Sequence, residues 1–443
     1  MAQATADPTT RYETEFRALA EARKDEPAWL HGLREKAFAK FQHAGFPIGD
    51  KRDEAWKYTD VKPIAQGDFR LPLNLTGADI DIGRLFPFDE GMIRLAFVDG
   101  HFAPHLSQGL GEEGLIAMPL TQALREHEDL VRDHFTKYAE LEHDAFVPLN
   151  SAMQWDGAFI YAQQALQTPV HLAFITSDYP DPVVTFPRSL VVAAPLSELV
   201  FIETYVSLGE RNHFTDAVCE IAVEDGAKVT HYRLLLENQQ SYQVGHVRPY
   251  VGRDASYHSL VFEAGSGLGR LDLEVVMSEE GAHSQLHGLY VTAGSQHIDN
   301  LVSIDHTKPH GTSRLYYKGI LDDQSSAAFG GTVFVRRGAD KTDAHQEDKN
   351  LLLSNKAQVN SKPALEIYAD DVKAGHGATA GAPTDDVIFY LQSRGLDFDT
   401  AMNFLVKGFA GEILDEVKIE ALREYLEAIT LRALPRFRSE VTV

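Results

Sequence analysis

Cysteine is nearly missing from this 443-residue chain, and Cys219 is the single one. One thiol closes no internal disulfide, and it builds no cysteine cage for zinc or an iron–sulfur cluster from this chain alone. Such usage fits a reducing compartment. No stretch approaches ~18 uninterrupted apolar residues, which excludes the signature of a membrane-spanning helix. The start, Met1-Ala-Gln-Ala-Thr-Ala-Asp-Pro, has neither a basic segment nor an apolar one. It does not read as a secretory signal, so a cytoplasmic protein is expected. Positive charge is also in short supply: 41 Lys and Arg stand against 65 Asp and Glu, a net charge of −24. A surface this acidic does not neutralise phosphates, so nucleic acid is not an expected partner.

Several catalytic signatures are absent too. There is no G-x-x-x-x-G-K-[ST], so the chain carries no phosphate loop of an ATPase. There is no G-x-S-x-G elbow and no H-E-x-x-H. Gly265-Ser-Gly-Leu-Gly269 lacks dinucleotide spacing and runs into Leu271-Asp-Leu-Glu-Val-Val, a strand rather than a helix; it reads as a turn. Carboxylates are too plentiful for spacing to single out a pair. A carbohydrate-active enzyme on a β-helix therefore stands as the alternative reading, one that suits a non-secreted chain poorly.

What is present is an ordinary apolar content, 44%, sufficient for a large core. From Trp29, apolar residues at Leu30, Leu33, Ala37, Phe38 and Phe41 trace one face of a helix, closed by Gly45, Pro47 and Gly49. Residues 92–102 read as a hairpin turning at Asp99-Gly100, and Leu120–Tyr138 as helical. From about Ala158 to Thr379, short apolar runs such as Val170-His-Leu-Ala-Phe-Ile and Val229-Thr-His-Tyr-Arg-Leu alternate with polar turns, which predicts strands of about six residues. Small residues follow those turns at Ala227, Ala255, Ala282 and Thr312, steps of 28, 27 and 30; Ser326, Ala357 and Ala374 continue with half-steps mixed in. A fixed period with two strands per step and no intervening helix predicts a parallel β-helix of roughly eight coils, about 38 Å long at ~4.8 Å per strand. The tail returns to helix, opening at Thr384 and at Asp399 and ending before Pro435. The fold class is mainly β. A parallel β-helix core over 151–380 is flanked by a helical and mixed region, 1–150, and a helical domain, 381–443.

Among metal-capable residues, His283 and His287 share one face of a strand, and His297, His306, His310, His345 and His376 follow. Each reads first as an ordinary surface or core histidine. His376 stands apart because Ala374, Gly375, Gly377 and Ala378 leave it without steric cover. Cys219 lies in the apolar run Ala217–Val223 and reads as a buried structural thiol.

Five segments carry a resemblance. Lys362-Pro-Ala-Leu-Glu-Ile-Tyr-Ala-Asp-Asp-Val-Lys-Ala-Gly-His-Gly-Ala-Thr resembles the hallmark of the SufB/SufD family of iron–sulfur cluster assembly proteins. Ile388-Phe-Tyr-Leu-Gln-Ser-Arg-Gly-Leu is similar to the family's YL-x-SRG helix start. Asp305-His-Thr-Lys-Pro-His-Gly-Thr-Ser with Tyr317-Lys-Gly-Ile-Leu matches its coils, and Asp53-Glu-Ala-Trp-Lys-Tyr-Thr-Asp its W-[KR]-Y-T motif. Within the family the chain looks like the SufD branch, because the SufB branch carries a cluster-active cysteine late in the β-helix and this chain has none after Cys219. The resemblance implies a right-handed parallel β-helix. It also implies a non-catalytic subunit that pairs with a SufB-like subunit and with SufC, an ABC-type ATPase docking on the C-terminal helices. His376 would then be an iron or cluster ligand at the SufB interface, with no cofactor held stably by the chain alone and iron or a cluster held transiently in the complex. Some SufD proteins have cysteine two residues before this histidine; here Ala374 stands there. Exposed β-helix edges also make a homodimer of the isolated chain an expected form.

Overall fold

The computed structural model describes residues 8–48, 54–72, 79–142 and 144–435; the first seven residues, Gly49 and Asp53 of the motifs above lie outside them. Strands alternate between two largely parallel sheets, so each coil contributes one strand to each sheet. The result is a parallel β-solenoid of about eight turns, with helices at both ends of the chain. In one sheet Lys228 stands opposite Ser256, Ser256 opposite His283, His283 opposite Thr312, Thr312 opposite Asp343, and Asp343 opposite Lys373, steps of 27 to 31 residues. The other sheet runs through Tyr242–Val251, Leu268–Met277, His297–His306, Ser326–Val335 and Gln358–Ile367.

Alternation along each strand sends every second side chain inward, where Leu, Val, Ile, Tyr and Phe form one continuous core. Identical register stacks like on like: Phe97, Phe174 and Tyr205 lie face to face, with centroids 5.2 and 5.1 Å apart. Most strands from Glu198 on are nine to eleven residues long, not six. The expected length was short because polar outward residues interrupt the apolar runs without interrupting the ladder.

The period arises at the corners. Gly226, Asp254, Gly281, His310 and Lys341 occupy the same corner of successive coils, all with φ between 51° and 72°. The N–H of each of the first four donates to a carbonyl of the next coil, at 2.8–3.2 Å. A left-handed residue is required there to reverse the chain, which is why Gly and Asp recur. The next residue points inward: Ala227, Ala255, Ala282, then Gly311. Thr312 therefore begins a strand and Gly311 holds the small position. In the second sheet Ser325, not Ser326, holds it, and Ala374 lies within a strand rather than at a corner. Gly265 sits at a similar close approach, where a Cβ would come within 2.4 Å of the Glu237 carbonyl oxygen, so the glycine-rich segment is a coil turn as expected.

Both sheets have covered outer faces. Helices Pro8–Ala22, Ala28–Ala44 and Phe146–Met153 lie over the second sheet, burying Phe41, Phe146 and Leu149 against Phe214 and Val218. Met92–Phe102 forms the expected hairpin, with Val98 opposite His101. Its first strand, Ile93–Val98, also pairs in parallel with Val170–Thr176. The expected Leu120–Tyr138 helix is two short ones, Leu120–Glu126 and Glu128–His134.

One buried knot fastens this layer. Glu220, fully buried on the strand His213–Val223, accepts N–H bonds from Thr136, Tyr138 and Ala139 at 2.9–3.0 Å and pairs with the buried Arg188 guanidinium. Arg188 lies 4.7 Å from the Phe135 ring centre and donates to Ser151 Oγ at 3.1 Å. Glu220→Gln strands a buried guanidinium and weakens three amide bonds, so it is expected to cost about 3–5 kcal/mol. Urea unfolding measures the loss, and amide exchange localises the loosening to residues 134–142.

Candidate functional site at the open end of the solenoid

At its early end each sheet finishes in a short antiparallel strand, His101–Phe102 in one and Leu115–Pro119 in the other. At the late end the last strands, Gln358–Ile367 and Lys373–Gly381, have no further neighbour among the described residues. The inward row there is only half-covered: Leu352, Val359, Leu365, Ala369 and Val372 pack against the core from its rim. Two parallel edges and an open apolar lumen thus face outward together.

His376 sits on that last strand, opposite Gln346, on the row that faces the lumen in the coils beneath. No coil follows to cover it, so it is exposed. Gly375 and Gly377 fall on the outer face beside His345 and Glu347, and their missing side chains leave a groove of about 390 Å³ bordered by Arg314, Tyr316, His345, Glu347 and His376. The expectation that small neighbours strip His376 of cover corresponds to this trough.

Just inside the mouth lie buried polar groups. Gln346 Nε2 donates to the Ala364 carbonyl at 2.7 Å, tying the two sheets. Asn350 Nδ2 donates to Asp348 Oδ2 at 2.7 Å, and Tyr290 donates to Asn350. Burial pushes the Asp348 pKa up to about 6, against hydrogen bonds from Ser361, Asn350 and Tyr290 that lower it.

The remaining candidates are scattered. His283 and His287 do share the outer face of their strand, and His258 on the adjacent strand meets the His283 ring at 5.4 Å; burial lowers the pKa of all three. His297 bonds Ser326 and Thr59 on the other sheet, His306 is buried against Ser313, and His310 occupies a corner. None joins His376 in a three-ligand group among the described residues. One such group does occur, and it is formed by Asp144, His246 and Asp272. Sequence reading missed it, because ligands separated by 102 and 26 positions carry no spacing signal.

Cys219 is buried inside the solenoid, as expected. Burial pushes its thiol pKa well up, and the facing Glu203 carboxylate adds to the rise. Its strand lies five strand spacings from the edge strand Gln358–Ile367, roughly 24 Å at ~4.8 Å each. Cys219 and His376 therefore belong to separate environments. In the W-K-Y-T segment, the Arg270 guanidinium stacks 3.9 Å from the Trp56 ring centre and Thr59 bonds Asp299. That motif clamps the N-terminal layer onto the solenoid.

The fold and this end together define a class: a parallel β-helix protein that finishes in short antiparallel strands at one end and in long parallel edges at the other, with helical arms. The chain matches the family models described as the SufBD protein N-terminal region over residues 7–172 and as the SUF system FeS cluster assembly, SufBD core domain, over residues 174–409. It is similar to an iron–sulfur cluster assembly SufBD family protein of Synechocystis, 32% identical over 84% of each chain. It is also similar to the iron–sulfur cluster assembly protein SufD of Escherichia coli, 28% identical over 87% of this chain and 89% of that one. To the SufD protein of Bacillus subtilis it is 27% identical, over 92% and 94%. The chain belongs to the SufBD family of iron–sulfur cluster assembly proteins.

The Asp348 carboxyl generates a pH test. Its pKa is raised in the fold, so its contribution to stability is complete below the unfolded value near 4 and is lost as pH rises through about 6. Asp348→Asn removes that burden. The variant is expected to be more stable than the parent at pH 8, by at most about 3 kcal/mol, and no more stable at pH 4. Urea midpoints at the two pH values check this.

Proposed function

We propose that this chain is a non-catalytic subunit of an iron–sulfur assembly complex, and that its open solenoid end is the face that pairs with a SufB-like subunit. The observation that carries the reading is the unpaired double edge with an exposed imidazole on it. Exposed parallel edges over an apolar lumen are a strong template for pairing with another chain. Imidazole suits iron, and mixed histidine and cysteine ligation occurs in iron–sulfur centres. In this reading iron or the nascent cluster is cargo at the seam, His376 supplies one ligand, and the thiolates come from the partner. The same edge in an isolated chain would support a homodimer.

A second surface fits the ATPase. Helix Asp385–Ser393 buries none of its residues, and Phe389 and Phe404 are 72% and 59% exposed. Val387, Tyr390 and Phe398 are exposed as well, so the C-terminal arm carries several uncovered apolar side chains. A SufC-like ABC ATPase is the proposed occupant, since the chain itself has no phosphate loop. Removing residues 385–443 is a poor test of this contact. Helix Phe398–Leu414 buries Met402, Val406, Ala410 and Ile413 in the cluster that also holds Leu260, Leu289 and Ile320 of the solenoid, so the deletion would lay core open. Substitution of the exposed rings is the cleaner experiment.

Two outcomes are expected. His376→Ala, co-purified with the SufB-like and ATPase partners, keeps the heterodimer but carries severalfold less iron and acid-labile sulfide; normal loading would count against a ligand role. Phe389→Glu with Phe404→Glu abolishes co-purification of the ATPase while leaving the folding free energy, read by urea unfolding, within the range of ordinary surface changes, about 0.5 kcal/mol. Retained ATPase binding would remove those rings from the interface.

A further inference from the structure

We propose that Asp144, His246 and Asp272 form a binding site for one divalent first-row transition-metal cation on the flank of the solenoid, separate from the open end. His246 and Asp272 are register partners on neighbouring strands, Tyr242–Val251 and Leu268–Met277, so their side chains leave the sheet side by side. Asp144 approaches from the N-terminal layer. Its Oδ1 accepts from the N–H groups of Phe146 and Val147 at 2.8 and 3.0 Å, which fixes the carboxylate at the start of the helix Phe146–Met153. Its Oδ2 is thereby aimed at His246 Nε2, 2.5 Å away. One donor atom from each of the three residues lies within 4.8 Å of the other two. Two neighbouring strands and the link entering a helix thus converge three ligand-type atoms.

The charge is right for a dication. Asp144, Asp272 and Glu274 contribute three negative charges, and Arg248 is the cation paired with the last two, at 3.1 Å from Asp272 and 3.5 Å from Glu274. With His246 as a neutral ligand, the four side chains and the imidazole sum to −2. Arg248 also donates to the Asp272 backbone carbonyl at 2.8 Å, which holds that strand in place beneath the site. The His246 ring is buried and its Nδ1 makes no hydrogen bond among the described residues, so no second partner fixes the ring about χ2. The Asp272 side chain is 20% exposed and offers the route in from solvent. One imidazole and two carboxylates suit Fe²⁺, Mn²⁺ or Zn²⁺ rather than a soft thiophilic ion. The strand of Asp272 lies three spacings from the edge strand Gln358–Ile367, about 14 Å away, so the site is distinct from the open end.

The test uses the full chain, stripped with chelator and titrated with Co²⁺ alone, whose visible absorption reports nitrogen and oxygen coordination. One saturable site is expected, with a rise in melting temperature as it fills. Asp272→Asn keeps the side-chain shape and is expected to weaken binding by about tenfold or more and to remove the metal-induced rise. His246→Gln is expected to do the same. Both variants are compared with the parent in chelator, so a folding defect is read separately from metal binding. His376→Ala is expected to leave this Co²⁺ site unchanged, which separates it from any ligand role at the open end. Absence of saturable binding, undiminished affinity in Asp272→Asn, or loss of the site in His376→Ala would overturn the proposal.

Discussion

A parallel strand ladder has to stop somewhere, and the way it stops at each end governs the rest of this molecule. Each coil satisfies the N–H and C=O groups of the one beneath it, so the terminal strands alone carry an unmet row. At the early end the chain answers with antiparallel strands of two and five residues, short enough to discourage further pairing. At the late end it places ten- and nine-residue strands with no further strand beside them among the described residues and leaves the lumen half-open. Long, regular and uncovered edges are what folded chains normally avoid unless another chain completes them. The asymmetry between the two ends is therefore the physical ground for reading the late end as a partner face.

The flanks are occupied in a complementary way. The N-terminal layer is held on one sheet by Glu220, Arg188 and the Trp56–Arg270 stack. The C-terminal helices are held on the other by Lys318, whose buried Nζ donates to the Phe409 carbonyl at 2.9 Å and pairs with Glu412. Tyr316 and Lys349, on the two strands just before the edge strand, join the same polar cluster. The groove beside His376 is bordered by Tyr316 as well. A displacement of the C-terminal helices would thus act on strands that also border the exposed imidazole. That continuity is spatial; coupling through it would require two discrete arrangements of those strands.

Much of the solenoid was legible because its period is imposed at corners, where backbone geometry restricts residue choice. Gly226, Asp254 and Gly281 announce themselves, and the inward Ala227, Ala255 and Ala282 keep the count. The count slipped by one at Thr312 because His310 and Gly311 fill a corner with a histidine, which no turn rule singles out. Strand lengths were less legible. Asp343–Leu352 sends Gln346, Asp348 and Asn350 inward, so neither alternation nor an apolar run marks it. The C-terminal helices were read to within about two residues: Gly395 closes one with φ 95°, whereas the start expected at Asp399 lies just earlier, where Asp397 caps the helix Phe398–Leu414. His376 could be singled out by its small neighbours, but its place on the final edge depends on how many coils precede it. The Asp144 group left no trace in the sequence because strand register brings His246 beside Asp272, and only the packing of the N-terminal layer adds Asp144.

The position of the single cysteine decides whether this chain could offer a thiolate. Cys219 packs in the interior beside Glu203, which bonds Ser189 Oγ at 2.7 Å and His231 Nε2 at 3.1 Å. Burial and that carboxylate both keep the sulfur protonated, and a thiol is a poor ligand and a poor nucleophile. Ala374, on the same inward row as His376, offers no sulfur at the mouth either. An iron–sulfur centre assembled against this edge would draw one nitrogen from the chain and all of its protein thiolates from elsewhere. For such a centre a homodimer would be chemically incomplete, since two copies would present two imidazoles and no accessible thiol. The open edge would bring chains together by backbone pairing, and ligand chemistry would then favour the pairing in which the second chain carries the thiolate.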